Sequence, residues 1–259
     1  MTTEPIIEGS VRISRDAGIG TLEFFHPAAN SLPGALLAQL VSGVEELGTD
    51  PEVRVIILKS HGVRTFCAGA SFSELASISD IESGHRFFMG FAHVINAMRK
   101  CPKIIIGMVQ GKTVGGGVGL AAATDYCLGT RSACIRLSEL AIGIGPFVVG
   151  PAVERRLGKA AYAQLAINAK EWFRAEWALD KGFYASLYED YENLEDGAYL
   201  LAKELSAYSP EAMKRLKEVL WADATDWDEL LHSRARISGE LVLTDFAQQT
   251  ISDIRNKKK

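Results

Sequence analysis

Three short stretches of this chain carry residue types that can do chemistry, and two of them work by lacking side chains. Gly115-Gly116-Gly117 removes three Cβ atoms at the expected opening of a helix, where the first backbone N–H groups have no intrahelical partner. A ligand oxygen can approach such a backbone closely and accept its hydrogen bonds. Phe66-Cys67-Ala68-Gly69-Ala70-Ser71-Phe72 is a second small-residue loop, after a run that reads as a buried strand. Two such loops converging on one oxygen would form an oxyanion hole of main-chain donors. Tight strand–helix junctions use the same residues, so the loops alone leave both readings open. The third stretch, Ser138-Glu139-Leu140, sets one carboxylate against the uncharged run Ala141-Ile142-Gly143-Ile144-Gly145-Pro146-Phe147. Apolar surroundings raise a carboxyl pKa and produce a usable general acid or base. A solvated loop-end glutamate or a helix-start charge is the alternative. Glu74, the next candidate, reads as a helix-start charge.

Two other glycine-bearing runs fit worse. Gly107 to Thr113 resembles a P-loop, but three residues rather than four separate its first glycine from Gly111-Lys112-Thr113, and position 106 is Ile106. Gly117-Val118-Gly119-Leu120-Ala121-Ala122 has the form of a dinucleotide fingerprint. It lies mid-chain rather than in a first βα unit, and its strand–helix–strand spacing is too compressed.

The elements that must position these stretches alternate in type. Residues 11–15 and 20–25, flanking Asp16-Ala17-Gly18, predict a hairpin. Pro33 stands where a helix can begin, and Leu36, Leu37, Leu40, Val41, Val44 and Leu47 recur at helical spacing. Residues 53–58 and 103–109 are valine- and isoleucine-rich runs of the kind buried on both faces, with 126–129 and 134–137 as shorter strands. The segment 60–71 reads as a loop, and Phe87, Phe88, Phe91, Val94, Ile95 and Met98 predict a helix. The pattern predicts an α/β architecture. From about Pro146 strand signals nearly vanish. Ser209-Pro210-Glu211 opens the first of three amphipathic helices whose Trp221, Trp227, Leu230, Leu231 and Leu241 need a surface, on this chain's core or on a second subunit.

Composition narrows the function classes. With 259 residues, 47% hydrophobic and 23% charged, the chain is an ordinary globular sequence rather than a disordered or low-complexity one. A net charge of −4 argues against a broad nucleic-acid or anionic-membrane surface, while a local site for a small phosphorylated ligand stays open. The basic end at Lys257 reads as a solvated tail. The uncharged runs 113–124 and 140–153 are shorter than the ~18 residues of a membrane span. Cys67, Cys101, Cys127 and Cys134 form no C-x-x-C pair and have no histidine at metal-ligand spacing, which suits reduced core thiols and a cytoplasmic protein. Glu4 and Glu8 precede any apolar stretch, so no secretion signal is expected.

Taken together, the pieces resemble one family. Asn30-Ser31-Leu32, Cys67-Ala68-Gly69-Ala70, Gln110-Gly111 with Gly115-Gly116-Gly117 and Asp125, and Ser138-Glu139 with Gly143-Ile144-Gly145-Pro146 stand in the order and spacing of the crotonase (enoyl-CoA hydratase/isomerase) superfamily. The resemblance runs from about residue 8 to residue 240. It implies a spiral of ββα units forming two stacked sheets, over residues 1–205 with the acyl-CoA site. A helical trimerisation region would follow over 206–259, in a homotrimer or hexamer. It implies a coenzyme A thioester as substrate, no separate cofactor and no metal. Ala70 and Gly116 match the positions whose N–H groups hold the thioester carbonyl, while Ala68, Gly69 and Phe72 match the path of pantetheine and adenine. Gly115, Gly117 and Pro146 are likewise expected to bind the substrate, and Glu139 matches the second of the two hydratase glutamates. The first glutamate position falls on Gly119, and Ser71 stands where aspartate is common.

That departure shapes the expected reaction. Gly111-Lys112, Gly117-Val118-Gly119 and Leu137-Ser138-Glu139-Leu140 resemble single-glutamate dehydratases of polyketide β-branching and their methylglutaconyl-CoA relatives. Reversible hydration of a 2-enoyl-CoA, branched methylglutaconyl-like acyl groups included, is the leading expectation. Δ3-Δ2-enoyl-CoA isomerisation and acyl thioester decarboxylation are alternatives, and a non-catalytic acyl-CoA- or RNA-binding relative is a different class. Loss of the first carboxylate is further expected to leave an acyl space lined by Val118, Leu120 and Phe147.

Overall fold

In the computed structural model, which describes residues 9–257, β1 (Ser10–Asp16) and β2 (Ile19–Phe25) pair antiparallel, from Ser10 opposite Phe25 to Asp16 opposite Ile19. Ala17 (φ 46°) and Gly18 (φ 83°) both turn left-handed, the conformation a two-residue hairpin needs to match strand twist. Glu4, Glu8 and residues 258–259 of the basic tail lie outside the described residues. The remaining strands are β3 (Val55–Ser60), β4 (Thr65–Cys67), β5 (Ile104–Val109), β6 (Lys112–Val114), β7 (Tyr126–Thr130), β8 (Ile135–Arg136) and β9 (Ser186–Tyr188). The helices are α1 (Gly34–Thr49), α2 (Phe72–Leu75), α3 (Ile81–Lys100), α4 (Gly116–Ala122), α5 (Gly150–Ile167), α6 (Ala175–Asp180), α7 (Tyr191–Ser206), α8 (Pro210–Leu220), α9 (Trp227–Leu241) and α10 (Asp245–Lys257).

Two sheets result. The larger has the order β1-β2-β3-β5-β7-β9 and is parallel beyond the hairpin. β3 and β5 are buried at every position, as their unbroken apolar runs require. The smaller sheet, β4-β6-β8, is parallel throughout and consists of strands of two or three residues. Because its strands run in one direction, the loops that follow them leave from a common edge. Segment 107–113 accordingly passes from β5 through a turn into β6, not from strand to helix, and carries no phosphate cradle.

Helices cover both sheets. α1 buries Leu36, Leu37, Leu40, Val44 and Leu47, the stripe its spacing predicts. α3 starts at a capping box between Asp80 and Ser83 and packs along α9. A Cβ built on Gly84 would lie 2.9 Å from Gly239 Cα, so the two backbones meet only because both positions are glycine. Ser209 caps α8 with Pro210 in its first turn.

Of the two surfaces open to the C-terminal helices, the chain's own core takes their large apolar side chains. Trp221 (5% exposed), Trp227 (5%) and Leu231 (0%) are buried against this chain's own core rather than offered to a partner. The two tryptophan rings meet edge-to-face at 5.6 Å. Among the described residues no helix is long and apolar enough to cross a membrane.

Candidate active site

The edge of the small sheet assembles the three stretches singled out above. After β4 the chain enters loop 68–71, after β6 it reaches Gly115-Gly116, and after β8 it reaches Ser138-Glu139. The first loop is held by the segment before α1. Leu32 N–H donates to Gly69 O (2.8 Å), Ser71 N–H to Leu32 O (3.1 Å) and Ala68 N–H to Ala29 O (3.1 Å). Asn30, itself left-handed at φ 56°, makes that segment rigid: its Nδ2 donates to His61 O (2.8 Å) and Thr65 O (3.0 Å). Gln110 Nε2 donates to Ser60 Oγ (2.9 Å) and Gly62 O (2.8 Å), fixing the turn ahead of β6.

These restraints bring the two glycine loops into contact. A Cβ on Gly69 (φ 91°) would lie 3.1 Å from Val114 O and 3.9 Å from Gly116 N. The neighbouring amides are spoken for: Gly69 N–H donates to Cys67 Sγ, Ser71 N–H to Leu32 O and Gly115 N–H to Arg136 O. The N–H groups of Ala70 and Gly116 donate to no backbone acceptor outside regular structure among the described residues. Gly116 is the first residue of α4, where the helix supplies no partner either. Phe91, from α3, lies over Gly116 so closely that a Cβ there would overlap its ring. Burial pushes the Cys67 thiol up to about 12, so this neighbouring sulfur is no nucleophile at neutral pH.

Glu139 lies across Gly115 from these donors. A Cβ on Gly115 would fall 2.9 Å from Glu139 Oε1, so the missing side chain (φ 53°) admits the carboxyl. The residue is half-buried as a whole, yet its Oε2 is sealed from solvent and has no hydrogen-bond partner among the described residues. Burial pushes the carboxyl up from 4.5 to about 7, against smaller opposing effects of backbone hydrogen bonds and the Arg136 charge. A carboxyl poised there can take up and release a proton at neutral pH.

All three stretches line one cavity of about 630 Å³. Of the sequence-predicted residues, Ala68, Gly69, Ala70, Phe72, Gly115, Gly116, Glu139 and Pro146 stand on its wall. Gly117 does not: a Cβ there would reach 2.9 Å from Cys67 Sγ, so this glycine lets α4 pack on the end of β4. The space expected at Gly119 is absent as well. A Cβ on Gly119 would meet Val149 Cβ at 2.5 Å, and neither Val118 nor Leu120 reaches the cavity, although Phe147 does. Glu74 is turned away, with its Oε2 accepting from Gly34 N–H (2.9 Å) at the start of α1. Ser71 caps α2 by accepting from Glu74 N–H (3.4 Å).

Sequence reasoning missed several wall residues. Phe87, Phe88 and Phe91 read as helix core, because a cavity-facing aromatic has the same periodicity as a core one. Arg136 and Lys170 gave no signal beyond their charge.

The enoyl-CoA hydratase/isomerase family profile matches residues 14–251. A Bacillus subtilis (strain 168) protein named "Probable enoyl-CoA hydratase" is 28% identical over 252 residues, covering 96% of this chain and 97% of its own. The mitochondrial methylglutaconyl-CoA hydratase of Rattus norvegicus is 34% identical over 194 residues, 73% of this chain and 60% of that protein. The crystal structure of an enoyl-CoA hydratase from Bacillus halodurans superposes with a TM-score of 0.87 over 94% of this chain and 99% of the other, at 19% identity, a likeness of fold alone.

Proposed function

The chain belongs to the enoyl-CoA hydratase/isomerase family, and on that premise we propose that it reversibly hydrates a 2-enoyl thioester of coenzyme A with Glu139 as its only general acid/base. The observation that carries this reading is the state of Glu139: sealed, unpartnered at Oε2, with a carboxyl near 7, and one glycine away from the Gly116 donor.

In this scheme the thioester carbonyl accepts from Ala70 N–H and Gly116 N–H, and each donor contributes ~3 kcal/mol of barrier lowering. Glu139 removes a proton from water, and the new C–O bond forms at Cβ. The C=C electrons move onto the carbonyl oxygen as an enolate. The same carboxyl then returns its proton at Cα, which restores the C=O. Ala68, Gly69 and Phe72 border the path of the pantetheine arm. The scheme uses no metal and no cofactor besides the coenzyme A of the substrate.

Allylic isomerisation is the second reading, favoured by Glu139 being the one carboxylate on the cavity wall among the described residues. A single carboxylate can carry a proton between Cα and Cγ unaided. Crotonyl-, 3-enoyl- and 3-methylglutaconyl-CoA, with products identified by mass, separate the readings. Addition of water to a 2-enoyl substrate is expected. Conversion of the 3-enoyl to the 2-enoyl thioester with no water added would replace hydration by isomerisation, and loss of carbon dioxide would replace both.

Assembly into a homotrimer or hexamer through residues 206–259 belongs to the same proposal. With Trp221, Trp227 and Leu231 buried internally, the large apolar side chains left exposed there among the described residues are Tyr208, Leu216, Val219, Leu220, Ile237 and Phe246. Sedimentation at micromolar concentration is expected to give a species three or six times the chain mass, and a stable 28.1 kDa particle overturns it. The four free cysteines support a cytoplasmic location.

A further inference from the structure

The order of the small sheet gives the cavity a direction. β6 lies in the middle and ends at Gly115-Gly116, the oxyanion side. Loop 68–71, on the proposed pantetheine path, follows β4 at one edge. Ser138 and Glu139 follow β8 at the other. A thioester whose carbonyl sits at Gly116 and whose coenzyme A leaves over β4 must therefore send its acyl group toward β8. A bridge between Ile135 and Phe173 lays segment 169–172 along that same edge.

Two cations stand at this acyl end, Arg136 and Lys170, and both line the cavity. Arg136 pairs with Val114, another wall residue, so the two side chains share a face of the sheet. Its guanidinium carbon lies 4.5 Å from the centre of the Trp172 ring, and its Nε is buried with no hydrogen-bond partner. Neither Arg136 nor Lys170 forms an ion pair among the described residues, Glu139 included. A guanidinium seated against an aromatic ring, with its Nε sealed, still has its terminal N–H groups to offer, and these pair well with a carboxylate. A half-buried cation that forms no ion pair is costly unless a ligand supplies the counter-charge.

Resting on the acyl-thioester reading above, we propose that Arg136, assisted by Lys170 at the mouth, recognises a carboxylate at the far end of the acyl group. The substrate class is then the coenzyme A monothioester of a dicarboxylic acid, and Arg136 is a specificity-determining residue. The phosphates of coenzyme A are the other anions in the same molecule, and the topology directs them to the opposite edge.

Unreactive thioesters test this without any turnover, so its failure is distinct from failure of the hydratase reading. Glutaryl-CoA and pentanoyl-CoA share a five-carbon acyl chain and differ in the terminal carboxylate. Calorimetry on the full chain is expected to show glutaryl-CoA binding tighter by about tenfold or more. Arg136→Gln is expected to erase that ratio and Arg136→Lys to retain part of it. The same preference is expected between glutaryl- and pentanoyl-pantetheine, which lack the nucleotide phosphates. Equal affinities in the wild type overturn the proposal. So does an Arg136→Gln variant, folded by its melting curve, that weakens both thioesters equally, because the arginine would then serve coenzyme A or the fold. A preference lost in the pantetheine pair overturns it likewise.

Discussion

Two carboxylates in neighbouring turns of this chain are buried, and they have opposite surroundings. Asp125, with a side chain 2% exposed, is saturated. Its Oδ1 accepts from Trp221 Nε1 (2.7 Å), and its Oδ2 accepts from Ile105 N–H (2.8 Å) and from Lys217 Nζ (2.8 Å). Lys217, 3% exposed, gives a further hydrogen bond to Lys103 O (2.8 Å). The cluster ties the turn after α4, strand β5 and helix α8 together. Glu139 has no such set: Oε2 lacks any partner, the nearest cation makes no ion pair with it, and its carboxyl is raised to about 7. A carboxylate whose acceptor sites are filled by the chain's own donors serves the fold. One left unfilled in a cavity keeps a mobile proton. Both lie in stretches that resemble the same family, so sequence position alone does not separate the two roles; the hydrogen-bond inventory does.

The largest effect that follows from the contrast is catalytic. Glu139→Gln keeps the shape and removes the exchangeable proton, so kcat is expected to fall by roughly 10²–10⁴ with no fall in melting temperature. Retention of more than about a tenth of kcat would place the base elsewhere. The converse substitution strikes the fold. Asp125→Asn leaves Lys217 buried and uncompensated, and a loss of about 3–5 kcal/mol in urea unfolding is expected. Asp125→Asn combined with Lys217→Met is expected to recover part of it, by removing both charges. If Asp125→Asn costs nothing, the saturated half of the comparison is wrong.

Much of this contrast was legible beforehand, unevenly. The hairpin, the α1 stripe and the buried runs of β3 and β5 follow from patterning, because each is long enough for a period to show. The small sheet did not appear as one: β8 shows within the expected strand 134–137, but β4 lies in 60–71, which reads as loop throughout, and β6 has only three residues. Likewise β9 fell in a region where strand signals had faded. Loop composition gave Ala70 and Gly116, and an isolated carboxylate gave Glu139, since missing side chains and apolar flanks are local properties. Lys217 was invisible as a partner of Asp125, because a lysine on an amphipathic helix reads as solvated. Gly117 and Gly119 were misplaced for the same reason. What a glycine lets approach, Cys67 in one case and Val149 in the other, is a tertiary fact.

Gly119 gives the next effect in size. The expectation of an acyl space there gives way to contact with Val149, which itself lines the cavity. Gly119→Ala is therefore expected to destabilise by about 1–3 kcal/mol through overpacking. Gly119→Glu is expected to cost at least as much and to bring no gain in crotonyl-CoA hydration. A glutamate variant that hydrates faster, with alanine at the same position inert, would show a second carboxylate can be housed beside Glu139. The contrast of one filled and one unfilled carboxylate would then need a third member.

The smallest effect is a pH dependence with opposite signs in stability and in rate. Folded, the Glu139 carboxyl titrates near 7; unfolded, near 4.5. Between those values the folded chain binds more protons than the unfolded one, so this residue's contribution to stability falls as pH rises across that window and levels off above it. Each unit of difference is worth ~1.4 kcal/mol, and water entering the cavity trims the total to about 1–2 kcal/mol. Hydration needs the ionised carboxyl to accept a proton from water, so kcat/KM is expected to rise about tenfold per unit below 7 and to plateau above it. Urea unfolding and initial rates between pH 5 and pH 8 should therefore bend at one midpoint, stability downward and rate upward. Glu139→Gln should remove the bend from the stability curve. A rate midpoint near 4.5 would mean that Glu139 is as well solvated as an ordinary glutamate, and the difference drawn between the two carboxylates would vanish with it.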